Sequence, residues 1–373
     1  MKVGVLTLHR SQNYGGLLQS YALQRVLAAL GVNSEIIDYW YPGSDNALYG
    51  TSFADCKSIN AKLRFALDGL LCASKGLRGA KLLRIQRSID FVKRHLSGES
   101  YPDYESLTAK ARGYDAYICG SDQVWNPNYG SAYDAFRLGF VPEGRKKISY
   151  AASFGVPSLT PAQASACGEA LRGFHHISVR ERDGLRIVKD LTGKDAELVL
   201  DPTLLLTFDD WAELLLAPRP TEKYILCYFL GDNKATQSTV YDFQRQHPMP
   251  IYTVGYHPLR VLNRKLKTVV DAGPIQFLSL FAGASHVFTN SFHGTVFSIL
   301  FKKPFHTFVD TNAHRMAMSS RISSLTELLG LEGRICESGS RAGEAAVDYG
   351  HVLEILSSER AKSIDFLKMA LGI

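Results

Sequence analysis

Short apolar runs of strand character alternate with helical runs along nearly the whole chain, and this alternation is what most restricts the fold. Residues 3–8, 34–38, 116–119, 147–151 and 178–180 read as strands, with helical patterns at 17–30, 57–95 and 161–174. A further strand-like run, 198–203, ends in a proline. Pro218, Arg219 and Pro220 then break the periodicity, and strands resume at 224–230, 251–254, 267–270 and 286–289. Strands alternating with helices call for parallel sheets wrapped by helices. At 373 residues the chain exceeds what one ordinary core supports. Two doubly wound Rossmann-like α/β domains are therefore expected, over residues 1–205 and 206–350, with a C-terminal helix at 351–373 packing back on the body.

Composition narrows the class further. A chain 46% hydrophobic and 21% charged is that of a folded globular protein. The apolar run before His9 and Arg10 is too short for a signal peptide and reads as a first strand. No run of eighteen apolar residues suggests a membrane span. Six scattered cysteines, without a Cys-x-x-Cys pair or zinc spacing, read as reduced thiols of a cytoplasmic protein. The absence of a G-x-x-x-x-G-K-[ST] loop argues against an ATPase. The net charge of +6 is concentrated in residues 57–95, where Lys57, Lys62, Arg64, Lys75, Arg78, Lys81, Arg84, Arg87, Lys93 and Arg94 outnumber Asp68 and Asp90. Leu63, Leu67, Leu70 and Leu71 interleave with them at helical spacing. That pattern suits a helix on an anionic membrane surface, or equally a solvated helical face. With no nucleic-acid motif beside the charge, no nucleic acid partner is expected.

Four places carry the residue types that chemistry needs. In Asn290-Ser291-Phe292-His293-Gly294-Thr295, a histidine sits at a strand-to-helix junction. Ser291 can cap, Gly294 allows close approach, and Pro304 stops the helix. Amides at such a junction favour an anion, so His293 reads as an acid/base group or phosphate donor, with a backbone-bonded buried histidine as the bland alternative. After the first strand, Asn13, Gly15 and Gly16 precede a helix and let backbone approach a phosphate or sugar, or simply form a tight turn. Ser121, Asp122, Gln123, Trp125 and Asn126 follow another strand. That mix suits sugar hydroxyls and a stacking indole, or an Asx-type turn with Trp125 in the core. Arg180 at a strand end can clamp a carboxylate or phosphate, or bridge to Glu181 or Asp201. His314, Arg315 and Arg321 add donors to the second half.

Taken together, these clusters resemble the polysaccharide pyruvyl transferase family, in the branch of bacterial capsule and exopolysaccharide loci. The resemblance rests on Leu8 to Gly16, Gly120 to Asn126, Ser149 to Gly155, Ser178-Val179-Arg180-Glu181, Asp201-Pro202-Thr203 and Ser291 to Thr295, in that order. It implies a GT-B-like pair of domains with the active site in the interdomain cleft. It also implies phosphoenolpyruvate as co-substrate, with no separate cofactor and no metal. The acceptor it implies is a sugar diol, often on a lipid-linked oligosaccharide at the inner face of the cytoplasmic membrane. By the same resemblance, Arg180 and His293 hold the donor, with Ser291, Gly294, Arg315 and Arg321 beside them. Asn13, Gly15, Gly16, Ser121, Asp122, Gln123, Trp125 and Asn126 face the acceptor. Other branches carry an arginine two places before the histidine; here that place is Ser291, so Arg315, Arg321 or Lys303 would have to supply the contact.

The chemistry follows from the substrates. It needs a proton donor for the methylene carbon, bases for two hydroxyls, and cations for a phosphate and a carboxylate. His293 fits the donor, Arg180 the clamp and Asp122 the base, and neither His293 nor Arg180 is expected to carry the fold. Two alternatives remain at this level: a nucleotide-sugar glycosyltransferase of the same architecture, and a non-catalytic sugar-binding component of a polysaccharide assembly complex.

Overall fold

The computed structural model describes residues 1–41, 77–231, 234–255, 263–309, 313–337, 343 and 346–373, without the side chains of 129–133, 234–235 and 313–319. Fourteen strands are present among these residues. The first sheet contains β1 (Lys2–Leu6), β2 (Asn33–Ile36), β5 (Ala116–Cys119), β6 (Lys146–Ala152), β7 (His176–Val179) and β8 (Glu197–Leu198), in the order β2-β1-β5-β6-β7-β8. The second contains β9 (Ile225–Tyr228), β10 (Ile251–Val254), β11 (Leu266–Val269), β12 (His286–Thr289), β13 (Phe305–Phe308) and β14 (Ile335–Cys336), in the order β11-β10-β9-β12-β13-β14. A two-stranded sheet of β3 (Asp38–Tyr39) and β4 (Ser100–Tyr101) flanks the first. Every named pairing is parallel. Strands such as Ala116–Cys119 and His286–Thr289 are buried at all four positions, as a parallel sheet covered on both faces requires.

The expected pair of doubly wound sheets is thus the observed architecture. In each, the strand order reverses once, between β1 and β5 in the first sheet and between β9 and β12 in the second. Such reversals open a crevice beyond the carboxyl ends of the strands, where ligands of open α/β sheets bind.

The two lobes share one apolar core. Tyr14, in the first helix Tyr14–Ala29, stacks on Phe277 of the second lobe at 4.4 Å and donates its hydroxyl to the Ala272 carbonyl (2.7 Å). Trp211 meets Phe297 edge-on at 5.2 Å. The C-terminal helix Tyr349–Leu371 returns to the first lobe: Ser363 accepts from the Leu200 amide (3.0 Å), Lys146 donates to the Leu371 carbonyl (3.1 Å), and Arg360 donates to the Leu204 carbonyl (2.6 Å).

Two local readings change. Residues 198–203 form only the end of β8, because Asp201 accepts from the Thr203 amide (3.0 Å) and caps a short helix, Pro202–Leu205. In the basic segment, residues 57–76, with their leucines, lie outside the described residues. The described part is the helix Arg78–His95, and some of its charge serves the fold. Arg84 lies over the Tyr14 ring (5.0 Å) and donates to the Gln12 carbonyl (3.1 Å), while Arg87 pairs with Asp271 across the lobes (2.7 Å). No helix among the described residues is long and apolar enough to cross a membrane.

Phe277 is fully buried among Tyr14, Tyr228, Phe281 and Phe297, so it belongs to both lobes at once. Phe277→Ala is expected to lower the unfolding free energy by about 3–5 kcal/mol, read from the denaturant midpoint. A loss below about 1 kcal/mol would mean that the shared core does not join the lobes.

Candidate active site

The two crevices face one another, and the side chains that fill them come from both lobes. In the second lobe, Asn290 spans the reversal: its carbonyl oxygen accepts from the Leu230 amide (2.7 Å) and its amide donates to the Leu230 carbonyl (3.1 Å). Ser291 then caps the helix Phe292–Leu300 by accepting from the Gly294 amide (3.3 Å). A β-carbon on Gly294 would overlap the Thr289 hydroxyl, so this glycine lets the helix lie against β12. Ser291 and Gly294, expected beside a donor, are thereby spent on local structure. What they position is His293.

His293 is 5% exposed and seats its ring on the first lobe. A β-carbon on Gly15 would overlap the imidazole, so only glycine permits this approach. The Nε2 atom has no hydrogen-bond partner and stands 3.7 Å from Asp201 Oδ1. Asn13 caps the facing helix by accepting from the Gly15 amide (3.0 Å). Gly16 passes close to the Leu8 carbonyl, which a β-carbon would meet at 2.6 Å. Two helix N-termini, each an end that favours negative charge, therefore open on the same space.

Arg180 forms the floor. Its side chain is fully buried; one terminal nitrogen donates to Asp201 Oδ2 (2.7 Å) and the other to Asp122 Oδ1 (2.9 Å). Its Nε has no partner. The guanidinium lies 4.7 Å from the centre of the Phe292 ring, and Arg321 lies 5.9 Å from the same ring. Burial alone would raise the Asp122 carboxyl, but Arg180, His293 and Arg321 hold it below the ordinary range. Burial acts the same way on Asp201, where His293, Arg180 and Thr203 outweigh it and keep the carboxylate ionised. Burial wins at Glu181, whose carboxyl is pushed up although Arg180 and Arg321 oppose this. Asp122 itself has φ +75°, a conformation rare for side chains other than Asn and Asp and common where function constrains the backbone.

The remaining expectations divide. Arg180 is both the bridge to Asp201 and a wall of the site. Ser121 is buried and donates to Asp201 Oδ2 (2.8 Å). Gln123 accepts from the Asn126 amide (2.6 Å), and Asn126 caps the next turn through the Asn128 amide (2.9 Å). These two shape the loop around Gly155, at φ +61°. Trp125 does not stack on a sugar: it is 2% exposed, packs on Phe154 and Phe174, and donates its indole N–H to the Phe136 carbonyl (3.2 Å). Lys303 precedes β13, at the opposite end of the parallel sheet from the site, and cannot supply the missing arginine contact. The side chain of Arg315 lies outside the described residues, and Arg321 reaches the site. Residue patterns alone assign Asp201 and Glu181 only as bridge partners of Arg180, and give Phe292 no role. Asp201 could have been suspected from Asp-Pro-Thr, a capping sequence in which an acid need not be buried. Among the described residues, no group of His, Cys, Asp and Glu could hold a metal ion.

No curated protein sequence matches the chain. Among solved structures, it is similar to a UDP-GlcNAc 2-epimerase from Methanocaldococcus jannaschii, with TM-score 0.48 and 9% identity over 96% of this chain and 92% of that one. It is also similar to an ADP-heptose LPS heptosyltransferase II of E. coli (TM-score 0.38, 12% identity, 97% and 99% covered). A third is the Streptomyces sp. SF2575 glycosyltransferase SsfS6 (TM-score 0.45, 12% identity, 100% of both chains). The polysaccharide pyruvyl transferase family matches residues 13–312, from the cap of the first helix through the histidine of the second lobe. With the match covering most of its length, the chain belongs to the polysaccharide pyruvyl transferase family.

Proposed function

We propose that this transferase moves the enolpyruvyl group of phosphoenolpyruvate onto two hydroxyls of one sugar, forming a cyclic pyruvate ketal and releasing phosphate, in bacterial surface polysaccharide synthesis. The observation that carries the reading is His293 Nε2, buried, unpartnered and set where both crevices meet beside Arg180 and Arg321. His293 delivers a proton to the methylene carbon of the donor, which leaves the central carbon electrophilic. A first sugar hydroxyl adds there and yields its proton to Asp122. The second hydroxyl then displaces phosphate from the same carbon and closes the ring. Two hydroxyl protons are released in all; one balances the proton given to carbon and the other leaves with phosphate. Arg180 through Nε, Arg321 and the two helix N-termini supply the positive field for the donor's phosphate and carboxylate. No step calls for a metal or a further cofactor.

His293→Ala is expected to lower acceptor-dependent phosphate release about a hundredfold, equivalent to about 3 kcal/mol, with an unchanged melt. Mass spectrometry of sugars incubated with phosphoenolpyruvate should find the added pyruvate. Turnover with a nucleotide sugar in its place would identify a glycosyltransferase, and wild-type turnover in a folded His293→Ala would remove the histidine from the mechanism.

Gly15→Ala tests the contact between lobes. The added methyl would overlap the imidazole, so activity should fall at least about tenfold, and the buried overlap should also cost about 1–3 kcal/mol of stability, seen as a lowered thermal midpoint. Arg180→Ala behaves differently from the sequence-based expectation. It leaves two buried carboxylates without their cation and should cost about 3–5 kcal/mol of stability as well as activity, seen as a lowered denaturant midpoint.

The acceptor is read as a lipid-linked oligosaccharide at an anionic membrane face, reached through the basic segment 57–95. Each surface Lys or Arg of that segment adds roughly 1 kcal/mol of attraction, weakened by salt. Vesicles containing anionic lipid should co-float with the protein at low salt and neutral vesicles should not; equal flotation with both would end this part of the reading.

A further inference from the structure

His293 and Asp201 stand on different lobes: Asp201 follows β8 of the first sheet, and His293 opens the helix after β12 of the second. Asp201 is 1% exposed and saturated with donors. Its Oδ2 accepts from Arg180 (2.7 Å) and the Ser121 hydroxyl (2.8 Å). Its Oδ1 accepts from the Thr203 amide (3.0 Å) and hydroxyl (2.6 Å). These bonds fix the carboxylate with Oδ1 turned to His293 Nε2, 3.7 Å away and just beyond hydrogen-bond length. A buried imidazole nitrogen without a partner is costly, and a fixed carboxylate beside it offsets that cost when Nε2 carries a proton, whether the ring is neutral or charged.

We propose that Asp201 is the positioning residue for His293, fixing the imidazole between the lobes through the ring edge that carries Nε2, so that the acid is complete only where the two lobes meet. The proposal rests on the reading of His293 as the acid. It gives the interlobe contacts of Tyr14 and Arg87 a chemical consequence, since any parting of the lobes separates the acid from its counter-charge. The other charges facing the pair are Arg180, Arg321 and Asp122, with the Glu181 carboxyl and the Tyr150 phenol, both pushed up by burial. Removing the Asp201 charge leaves two guanidinium groups against one ionised aspartate, so protonated His293 loses support. Removing the Thr203 hydroxyl does the reverse, because Oδ1 then has one fewer donor competing with the imidazole. A carboxylate that only braced the scaffold would not give shifts of opposite sign.

The test uses the full-length protein with isotope-labelled histidine, His293 being assigned by the signal lost in His293→Gln. In ring NMR titrations without substrate, the His293 midpoint should fall in Asp201→Asn and rise in Thr203→Val. With phosphoenolpyruvate and sugar, Asp201→Asn should lower kcat about ten- to hundredfold with the donor KM within about twofold, and the alkaline limb of its rate profile should move down with the midpoint. Asp201→Glu, which restores the charge, should recover part of the limb. Thr203→Val carries the test if Asp201→Asn does not fold. An unmoved midpoint in the folded variants overturns the pairing even if the wild type turns over. Moved midpoints in a protein that releases no phosphate from phosphoenolpyruvate support the pairing and overturn the proposed reaction.

Discussion

The site depends on one buried cation held between two buried anions. Arg180 leaves the end of β7 and reaches Asp122, after β5, and Asp201, after β8, so three strand ends of the first sheet are tied at one guanidinium. None of the three side chains could be buried as an ion alone, since desolvation would neutralise a lone carboxylate and destabilise a lone guanidinium. Together they are stable enough to sit at the meeting of two lobes. The Phe292 ring of the second lobe closes over the cation, and His293 follows in the same helical turn.

That arrangement decides which groups have chemistry left to offer. Most polar atoms of the cluster are committed to one another: Ser121 and Thr203 to Asp201, Asn126 to Gln123, Ser291 to its own helix. His293 Nε2 and Arg180 Nε are among the buried polar atoms without partners, one on each lobe. Orphaned polar atoms inside a protein are costly, and their persistence in a crevice between two sheets is what a site awaiting a polar ligand requires.

Close backbone contacts make the meeting possible. Gly15 yields its side-chain space to the imidazole, Gly16 lets the helix pass the Leu8 carbonyl, and Gly294 brings the opposing helix down onto β12. Beside them, Asp122 and Ala151 take up positive φ next to a break in the pairing of β6 with β7. The strain is local and lies where the carboxylate must turn away from its strand to face Arg180.

The sequence by itself determined the two parallel sheets, because apolar runs buried on both faces leave a periodic trace and Pro218 to Pro220 leave a break. It also marked His293 and the Asn13 to Gly16 turn, since residues at a strand-to-helix junction are exposed to the crevice by the geometry of the fold itself. It did not settle the orientation of any side chain. Trp125 carries the composition of a sugar platform, yet its indole is in the core because Phe154 and Phe174 close on it from other parts of the chain. Arg180 was legible as either clamp or bridge, and only the convergence of β5, β7 and β8 makes it both. Asp201 and His293 are separated in the chain by a whole lobe boundary, and their approach comes from the packing of Tyr14 on Phe277 and of Gly15 on the imidazole. Local patterning records which face of a strand or helix is buried; which partner buries it is fixed only when distant segments compete for the same space.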